Sequence, residues 1–147
     1  MNKPRGKVAR RAAPNALVFS LLETAEAVEA RLEAALSPTG LSMAKLAVLH
    51  VLVEAQEPLP LSDLAERQHC VRSNITQLVD RLEKDGFVRR RADPDDRRSV
   101  RAVLTAAGER AHGQGMRALA AEQRAIMSSL GAGDAAALKG VLELLAR

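Results

Sequence analysis

Residues 61–105 read LSDLAERQHCVRSNITQLVDRLEKDGFVRRRADPDDRRSVRAVLT, and the order of patterns in this stretch decides the fold. Ser62 is in position to cap a short helix that runs to about Gln68, and a second helix is expected from about Arg72 to Asp85. Gly86 follows where helices commonly stop. Three apolar side chains of the second helix are expected to face inward: Ile75, Leu78 and Leu82. Two short helices joined by so few residues indicate a helix-turn-helix.

A change of period directly after the second helix predicts a β-hairpin. Residues 87–91 and 99–104 have the composition of strands, and the segment Ala92-Asp-Pro-Asp-Asp-Arg97 between them is rich in turn residues. The expected fold class is therefore mainly α, with a small β-hairpin wing beside a helix-turn-helix.

Long amphipathic helices flank this part of the chain. One is expected within residues 14–40, because apolar residues recur there at steps of three and four with glutamates on the other side. Two more are expected within residues 106–147, with Thr105 and Asp134 as their N-caps.

The centre of the domain is expected to be a further helix over 43–55, capped by Ser42. This stretch is apolar nearly all round, which is typical of a buried helix. Residues 14–147 are therefore expected to form a single domain. Residues 1–13, which are basic and contain Pro and Gly, are expected to be a disordered arm.

Composition excludes several classes of protein. The chain has 147 residues, with one Cys, no Trp, no Tyr and two Phe. A single Cys excludes a disulfide scaffold within the chain, and so few aromatic residues argue against single-stranded nucleic acids as partners. The net charge is +4, but residues 1–11 hold enough positive charge to account for it. No apolar run approaches the length of a membrane span, so a cytoplasmic protein is expected.

The stretch 61–109 resembles the winged helix-turn-helix of the MarR family of bacterial transcriptional regulators. Its most specific pieces are Leu78-Val-Asp-Arg-Leu-Glu-Lys-Asp-Gly86 and the wing segment Asp93-Pro-Asp-Asp-Arg-Arg-Ser99. The resemblance implies a DNA-binding lobe over 41–105 and a dimer joined through the terminal helices, residues 14–40 and 106–147. It also implies a pseudo-palindromic operator, from which such proteins are often released by a small ligand or by thiol oxidation.

The polar side of the second helix carries side chains that are able to read double-stranded DNA. A recognition helix places its N-terminal half in the major groove, where Arg can bind guanine and Asn or Gln can bind adenine. We therefore expect base contacts from three residues: Arg72, Asn74 and Gln77. Contacts to the DNA backbone are expected from Ser73, Thr76 and Arg81. The alternative is an ordinary polar surface of a helix, which the wing that follows makes the weaker interpretation.

Arg97 and Arg98 lie at the expected hairpin tip, where an arginine can enter the narrow minor groove. The resemblance implies that a nearby aspartate braces this arginine, which assigns the brace to Asp96. Four arginines alternate along the strands, so that only some of them can face phosphate: Arg89, Arg90, Arg91 and Arg101. Of these, Arg89 is expected to face phosphate. The alternative for each is a solvated strand edge that opposes aggregation.

Two positions depart from the family's pattern. A glycine is common in the turn between the two helices, and His69 stands at about that place, where it would need a left-handed conformation. The recognition helix usually begins with a Ser or Thr cap, and here the corresponding residue is Val71. The exact start of the helix is left open by this departure.

Two further residues are candidates for chemistry. Cys70 is expected to be a small packed side chain, with redox sensing as the alternative, because a helix N-terminus and Arg72 could activate its thiol. His50 is a candidate for lining a ligand pocket, as the resemblance suggests, although a hydrogen-bonded core histidine is the favoured interpretation. No cofactor or metal ion is expected. The chain lacks a phosphate-binding loop and a nucleophile motif, so an enzyme is not expected.

The predicted function is that of a homodimeric, sequence-specific regulator that binds double-stranded DNA and represses transcription in response to a small-molecule effector. One alternative is a winged-helix module that binds a protein or ligand. Another is an architectural protein that binds DNA without sequence preference.

Overall fold

The computed structural model describes residues 14–96 and 98–147. The expected basic arm, residues 1–13, and Arg97 of the expected wing tip lie outside this part of the chain. The chain divides into two compact units, one that ends at Arg31 and one that runs from Leu32 to Arg147. The predicted DNA-binding residues all belong to the second unit.

The fold is mainly α with a small sheet, as predicted. Helix α1 spans Pro14–Leu36 and is followed by a 3-10 turn, Ser37–Thr39. The other helices are α2 (Met43–Ala55), α3 (Leu61–Arg67), α4 (Arg72–Lys84), α5 (Ala106–Ser128) and α6 (Ala132–Leu145). The strands are β1 (Leu59–Pro60), β2 (Val88–Ala92) and β3 (Val100–Leu104). Helices α3 and α4 form the helix-turn-helix, and β2 and β3 form the wing.

The wing belongs to a three-stranded antiparallel sheet in the order β1-β3-β2. In the hairpin, Val88 pairs with Leu104 and Arg91 pairs with Arg101. Strand β1 was not predicted, because two residues that include a proline lack a strand pattern. Its Leu59 pairs with Ala102 on the side of β3 opposite β2. Strand β1 is therefore an edge strand, where a proline is tolerated.

The core lies in the second unit and is built around α2, as its apolar sequence predicts. Leu46, Val48, Leu49 and Leu52 of this helix are all buried. They share one cluster with side chains from α3, α4 and the sheet, including Leu64, Ile75 and Val88. The helix-turn-helix and the hairpin are therefore held against a common apolar centre.

Two of the predicted helix caps are confirmed. The Ser42 hydroxyl accepts the N–H of Lys45 at 3.2 Å, and the Thr105 hydroxyl accepts the N–H of Gly108 at 3.0 Å. In each case, the hydroxyl satisfies an N–H group of the first turn that has no partner within the helix.

The two other predicted caps were wrong. Helix α3 begins earlier than expected, with Pro60 as its N-cap, and the Ser62 hydroxyl donates to the Asp63 carboxylate instead. Helix α6 has Gly131 as its N-cap, and Asp134 lies in its first turn. A carboxylate in that place interacts favourably with the helix dipole, so the residue type is consistent with a helix start although the position differs.

No single helix among residues 14–96 and 98–147 has both the length and the apolar content to cross a membrane. One bent pair of segments, Ala16–Thr39 with Met43–Ala55, meets the length and composition requirement when taken together.

Gly108 tests how closely α5 is packed against the start of the wing. A β-carbon there would overlap the Phe87 carbonyl oxygen and lie 2.9 Å from the Phe87 carbonyl carbon. We expect Gly108→Ala to destabilise the protein by about 1–3 kcal/mol, because backbone atoms have to move. Gly113→Ala is the matched control, since its β-carbon meets only the flexible end of Arg117 at 3.5 Å and alanine favours a helix. Urea unfolding should show a lower midpoint for the first variant alone; equal midpoints would contradict this packing.

Candidate nucleic-acid interface

Burial of one side of α4 determines which of its residues reach solvent. Ile75, Val79 and Leu82 are fully buried, while Leu78 is only partly buried. The predicted inward set was therefore right for Ile75 and Leu82 and missed Val79. The exposed side of the helix carries the predicted DNA-contacting residues: Arg72, Ser73, Asn74, Thr76, Gln77 and Arg81.

The turn before α4 is held by backbone hydrogen bonds and by a contact to α2. His69 has a positive φ of 49°, which confirms the left-handed conformation predicted at this place. Its N–H donates to the Glu66 carbonyl at 3.0 Å, and the Cys70 N–H donates to the Ala65 carbonyl at 3.1 Å. The Gln68 side chain also donates to the Ala47 carbonyl at 3.1 Å. The start of α4 is therefore fixed relative to the core.

Val71 is the N-cap of α4, as the sequence comparison with the family's pattern indicated. It has extended dihedrals, and no side-chain hydrogen bond caps the helix. Its carbonyl accepts the N–H of Asn74 at 3.0 Å. Helix α4 therefore begins at Arg72, which settles the helix start that the sequence left open.

Thr76 differs from its exposed neighbours because its hydroxyl is already engaged. The hydroxyl donates to the Arg72 carbonyl at 3.0 Å, one turn back along the helix. A phosphate oxygen can only accept hydrogen bonds, so Thr76 would have to exchange this partner to bind DNA backbone. The role of Thr76 stays a prediction.

Arg90 connects the wing to the recognition helix. Its guanidinium forms an ion pair with Asp80 of α4 and donates to the Thr76 carbonyl at 3.3 Å. Its backbone N–H donates to the Glu83 carboxylate at 2.9 Å. The neighbouring Arg89 and Arg91 are exposed. The predicted alternation is thus present, and the contacts of Arg90 stabilise the fold by joining β2 to α4.

A second ion pair, between Asp93 and Arg101, closes the base of the wing loop. Asp93 is 7% exposed, and its carboxylate accepts the Arg101 Nε–H at 2.7 Å and the Asp95 N–H at 2.9 Å. These hydrogen bonds hold the pKa of Asp93 below its usual value and raise the pKa of Arg101. Sequence reasoning missed this pair. The signal was the Asp-Pro-Asp run, because an aspartate readily accepts a backbone N–H two residues on.

Asp96 acts on the wing tip through the main chain. Its carboxylate accepts the backbone N–H of Arg98 at 2.9 Å, and its carbonyl accepts the Ser99 N–H at 2.9 Å. Asp96 thus orients the peptide of Arg98, whose side chain is exposed. Whether this amounts to the brace that the resemblance implies stays a prediction.

His50, the candidate for a ligand pocket, contacts a histidine from another helix. Its Nδ1 lies 3.2 Å from Nε2 of His112 on α5, and the ring centroids are 5.4 Å apart. The two ring planes are inclined by 17°, and the two nitrogens are within hydrogen-bonding distance, with the donor set by the tautomer of each ring. This contact agrees with the predicted hydrogen bond, but His50 is exposed, so the prediction that it is a core residue was wrong.

A cavity of about 320 Å³ lies elsewhere, between the end of α2, β3 and the start of α5. Its lining includes Leu52, Val53, Glu57, Val103 and Glu109, and His50 is not among the lining residues. The ligand role of His50 therefore stays a prediction.

Cys70 is partly buried and packs against the core cluster. This contact supports the packing role, and a redox role stays untested. Among the residues that the structure describes, no three His, Cys, Asp or Glu side chains are grouped so that they could hold a metal ion.

Taken together, a helix-turn-helix, a two-stranded wing and a basic exposed side define the chain as a winged helix-turn-helix protein. The sequence model of the MarR family matches residues 41–100. The chain resembles the transcriptional regulator AbsC of Streptomyces coelicolor, a MarR-family structure, with a TM-score of 0.73 and 26% identity over 97% of this chain and 96% of that one. The chain is therefore similar to the MarR family in sequence over residues 41–100 and in fold over nearly its whole length.

Curated relatives match over shorter stretches. The chain is 46% identical over 65 residues to YfiV and 33% identical over 94 residues to YetL, both of Bacillus subtilis (strain 168). YfiV is named as an uncharacterized HTH-type transcriptional regulator and YetL as an HTH-type transcriptional repressor. The matches cover 44% and 63% of this chain, and 40% and 56% of those relatives. Both are named as regulators rather than as enzymes.

The histidine pair predicts a pH-dependent stability. Burial lowers the pKa of His112 below its usual 6.5, as does the charge of His50, against an opposing effect of Glu54. The unfolded chain therefore binds a proton at His112 more readily than the folded chain, so the free energy of unfolding should fall as pH drops from about 6.5 through the lowered pKa. Urea unfolding between pH 7.5 and 5.5 should show this fall, and His112→Gln should flatten it. An unchanged slope in the variant would refute the assignment.

Proposed function

We propose that this protein is a sequence-specific, DNA-binding transcriptional regulator that acts as a homodimer on a pseudo-palindromic operator in the cytoplasm. One observation carries the proposal: an exposed helix side with Arg72, Asn74 and Gln77 lies beside a hairpin with exposed arginines. These side chains match the hydrogen-bonding groups that guanine and adenine present in the major groove.

The wing supplies the second contact of the proposal. The exposed Arg98 lies at its tip, with its backbone oriented by Asp96. We place this side chain in the minor groove, which attracts arginine where it is narrow. Arg89 and Arg81, both exposed, are assigned to phosphates. The same assignment is proposed for Ser73, and Arg97 is the alternative to Arg98 for the minor-groove contact.

Exposed apolar side chains support a dimer. Helix α6 exposes Leu138, Val141, Leu142, Leu144 and Leu145, and the first half of α1 exposes Leu17, Val18, Phe19 and Leu22. Exposed apolar side chains grouped on one helix commonly mark an interface. We propose that a second copy of the chain covers it, which would present two recognition helices to half-sites about 10 base pairs apart.

We further propose that the protein represses transcription and that a small-molecule effector releases it from DNA. The relative YetL is named as a repressor. The cavity between α2, β3 and α5 is large enough to admit a small molecule and adjoins a strand of the wing.

The DNA contacts are tested with a duplex selected by the protein from a random library. Asn74→Ala should weaken binding by about 1–3 kcal/mol and relax the base preference at one position of each half-site. Arg98→Ala should weaken binding and leave the dimer intact. Arg147→Ala removes the same charge at the end of the chain and is the control. Fluorescence anisotropy at matched salt measures all three; an Arg98→Ala variant that binds like Arg147→Ala would remove the wing from the proposal.

The dimer is tested by placing a charge on α6. Leu142 is 47% exposed, so Leu142→Glu should leave the folded chain intact while it places a charge in the proposed interface. We expect sedimentation velocity to show a dimer for the unmodified protein and a monomer for Leu142→Glu. Lys139→Gln, on the same exposed helix, should remain dimeric. A monomeric unmodified protein at micromolar concentration would contradict the proposal.

A further inference from the structure

An apolar side chain is exposed at the start of the helix that carries the proposed base contacts. Val71 is 63% exposed. Within the continuous described stretch 32–96, it is the one large apolar residue whose side chain is exposed. The other large apolar side chains of this stretch are buried or partly buried. Core packing therefore does not account for valine at this position.

Helix capping does not account for it either. Val71 is the N-cap of α4, and no side-chain hydrogen bond caps this helix. The hydroxyl of Ser or Thr would accept an N–H of the first turn and stabilise the helix, whereas valine offers no acceptor. Val71 thus exposes apolar surface and leaves the helix without a side-chain cap. Its side chain is therefore available for a contact outside the chain.

The position of Val71 suits a contact in the major groove. It directly precedes Arg72, Ser73 and Asn74, all of which are exposed. The first residues of a recognition helix are those that reach the edges of bases. Thymine is the base that presents an apolar group there, its C5 methyl group.

We propose that Val71 reads thymine by packing its methyl groups against the C5 methyl group of the base. This inference rests on the proposed function, and it names one feature that the operator must contain, which is a thymine in each half-site opposite the start of α4. Arg, Asn and Gln discriminate bases by hydrogen bonds, while Val71 adds discrimination by an apolar contact.

Deoxyuridine provides the test, because it differs from thymidine only by the missing C5 methyl group. In the duplex selected by the unmodified protein, each thymine of a half-site is replaced in turn by deoxyuridine. Removal of one methyl group from a buried apolar contact corresponds to about a fourfold loss of affinity. We expect this loss at one position of each half-site.

Two variants connect that loss to Val71. Val71→Ser and Val71→Thr both add a capping hydroxyl, so both should raise the urea midpoint. Only Val71→Thr keeps a methyl group at the contact. We expect Val71→Thr to retain most of the deoxyuridine penalty, and Val71→Ser to bind the thymine and deoxyuridine duplexes with equal affinity.

Two results would overturn the inference while leaving the proposed function in place. The unmodified protein could bind its selected site and tolerate deoxyuridine at every position, or Val71→Ser could keep the full penalty. Failure of the unmodified protein to select any site from the random library would overturn the inference and the proposed function together.

Discussion

Arg90 places the wing and the recognition helix in a fixed relation, and the candidate interface depends on that constraint. Its guanidinium pairs with Asp80, and its backbone N–H is bound by the Glu83 carboxylate. A partly exposed ion pair contributes little to stability, but this one joins the two elements that contact DNA in the proposed complex. The buried side chains of Ile75, Val79 and Leu82 complete the constraint, because they determine which side of α4 faces away from the core.

This arrangement separates arginines that maintain the fold from arginines that are available for DNA. Arg90 on β2 and Arg101 on β3 are bound to carboxylates, whereas Arg89, Arg91 and Arg98 are exposed. The wing therefore remains basic on its outer side while its loop is closed by Asp93. A loop braced in this way presents Arg98 with less conformational freedom, which reduces the entropy lost on binding.

The helical period and the change of period at Phe87 were sufficient to predict the helix-turn-helix, the wing and the buried central helix. Caps were predicted correctly at Ser42 and Thr105, whose hydroxyls lie just before the helix. The predictions at Ser62 and Asp134 were wrong, because those helices begin earlier, after a proline and a glycine. The contact between His50 and His112 could not be predicted, because it depends on how two helices that are far apart in sequence pack together. The pair of Asp93 with Arg101 was missed, although the Asp-Pro-Asp run indicated a loop that Asp93 braces. The left-handed conformation of His69 was predicted because His69 occupies the place in the turn between the two helices where the family's pattern commonly has a glycine.

The exposed side of α4 is proposed to read sequence, and a competition experiment tests this proposal. The purified protein is bound to its selected duplex at near-physiological salt and challenged with random duplex DNA. We expect a preference of about 10³ or more for the selected site. A ratio near one, with binding that weakens steeply as salt rises, would contradict it and identify an architectural protein that contacts only the phosphate backbone.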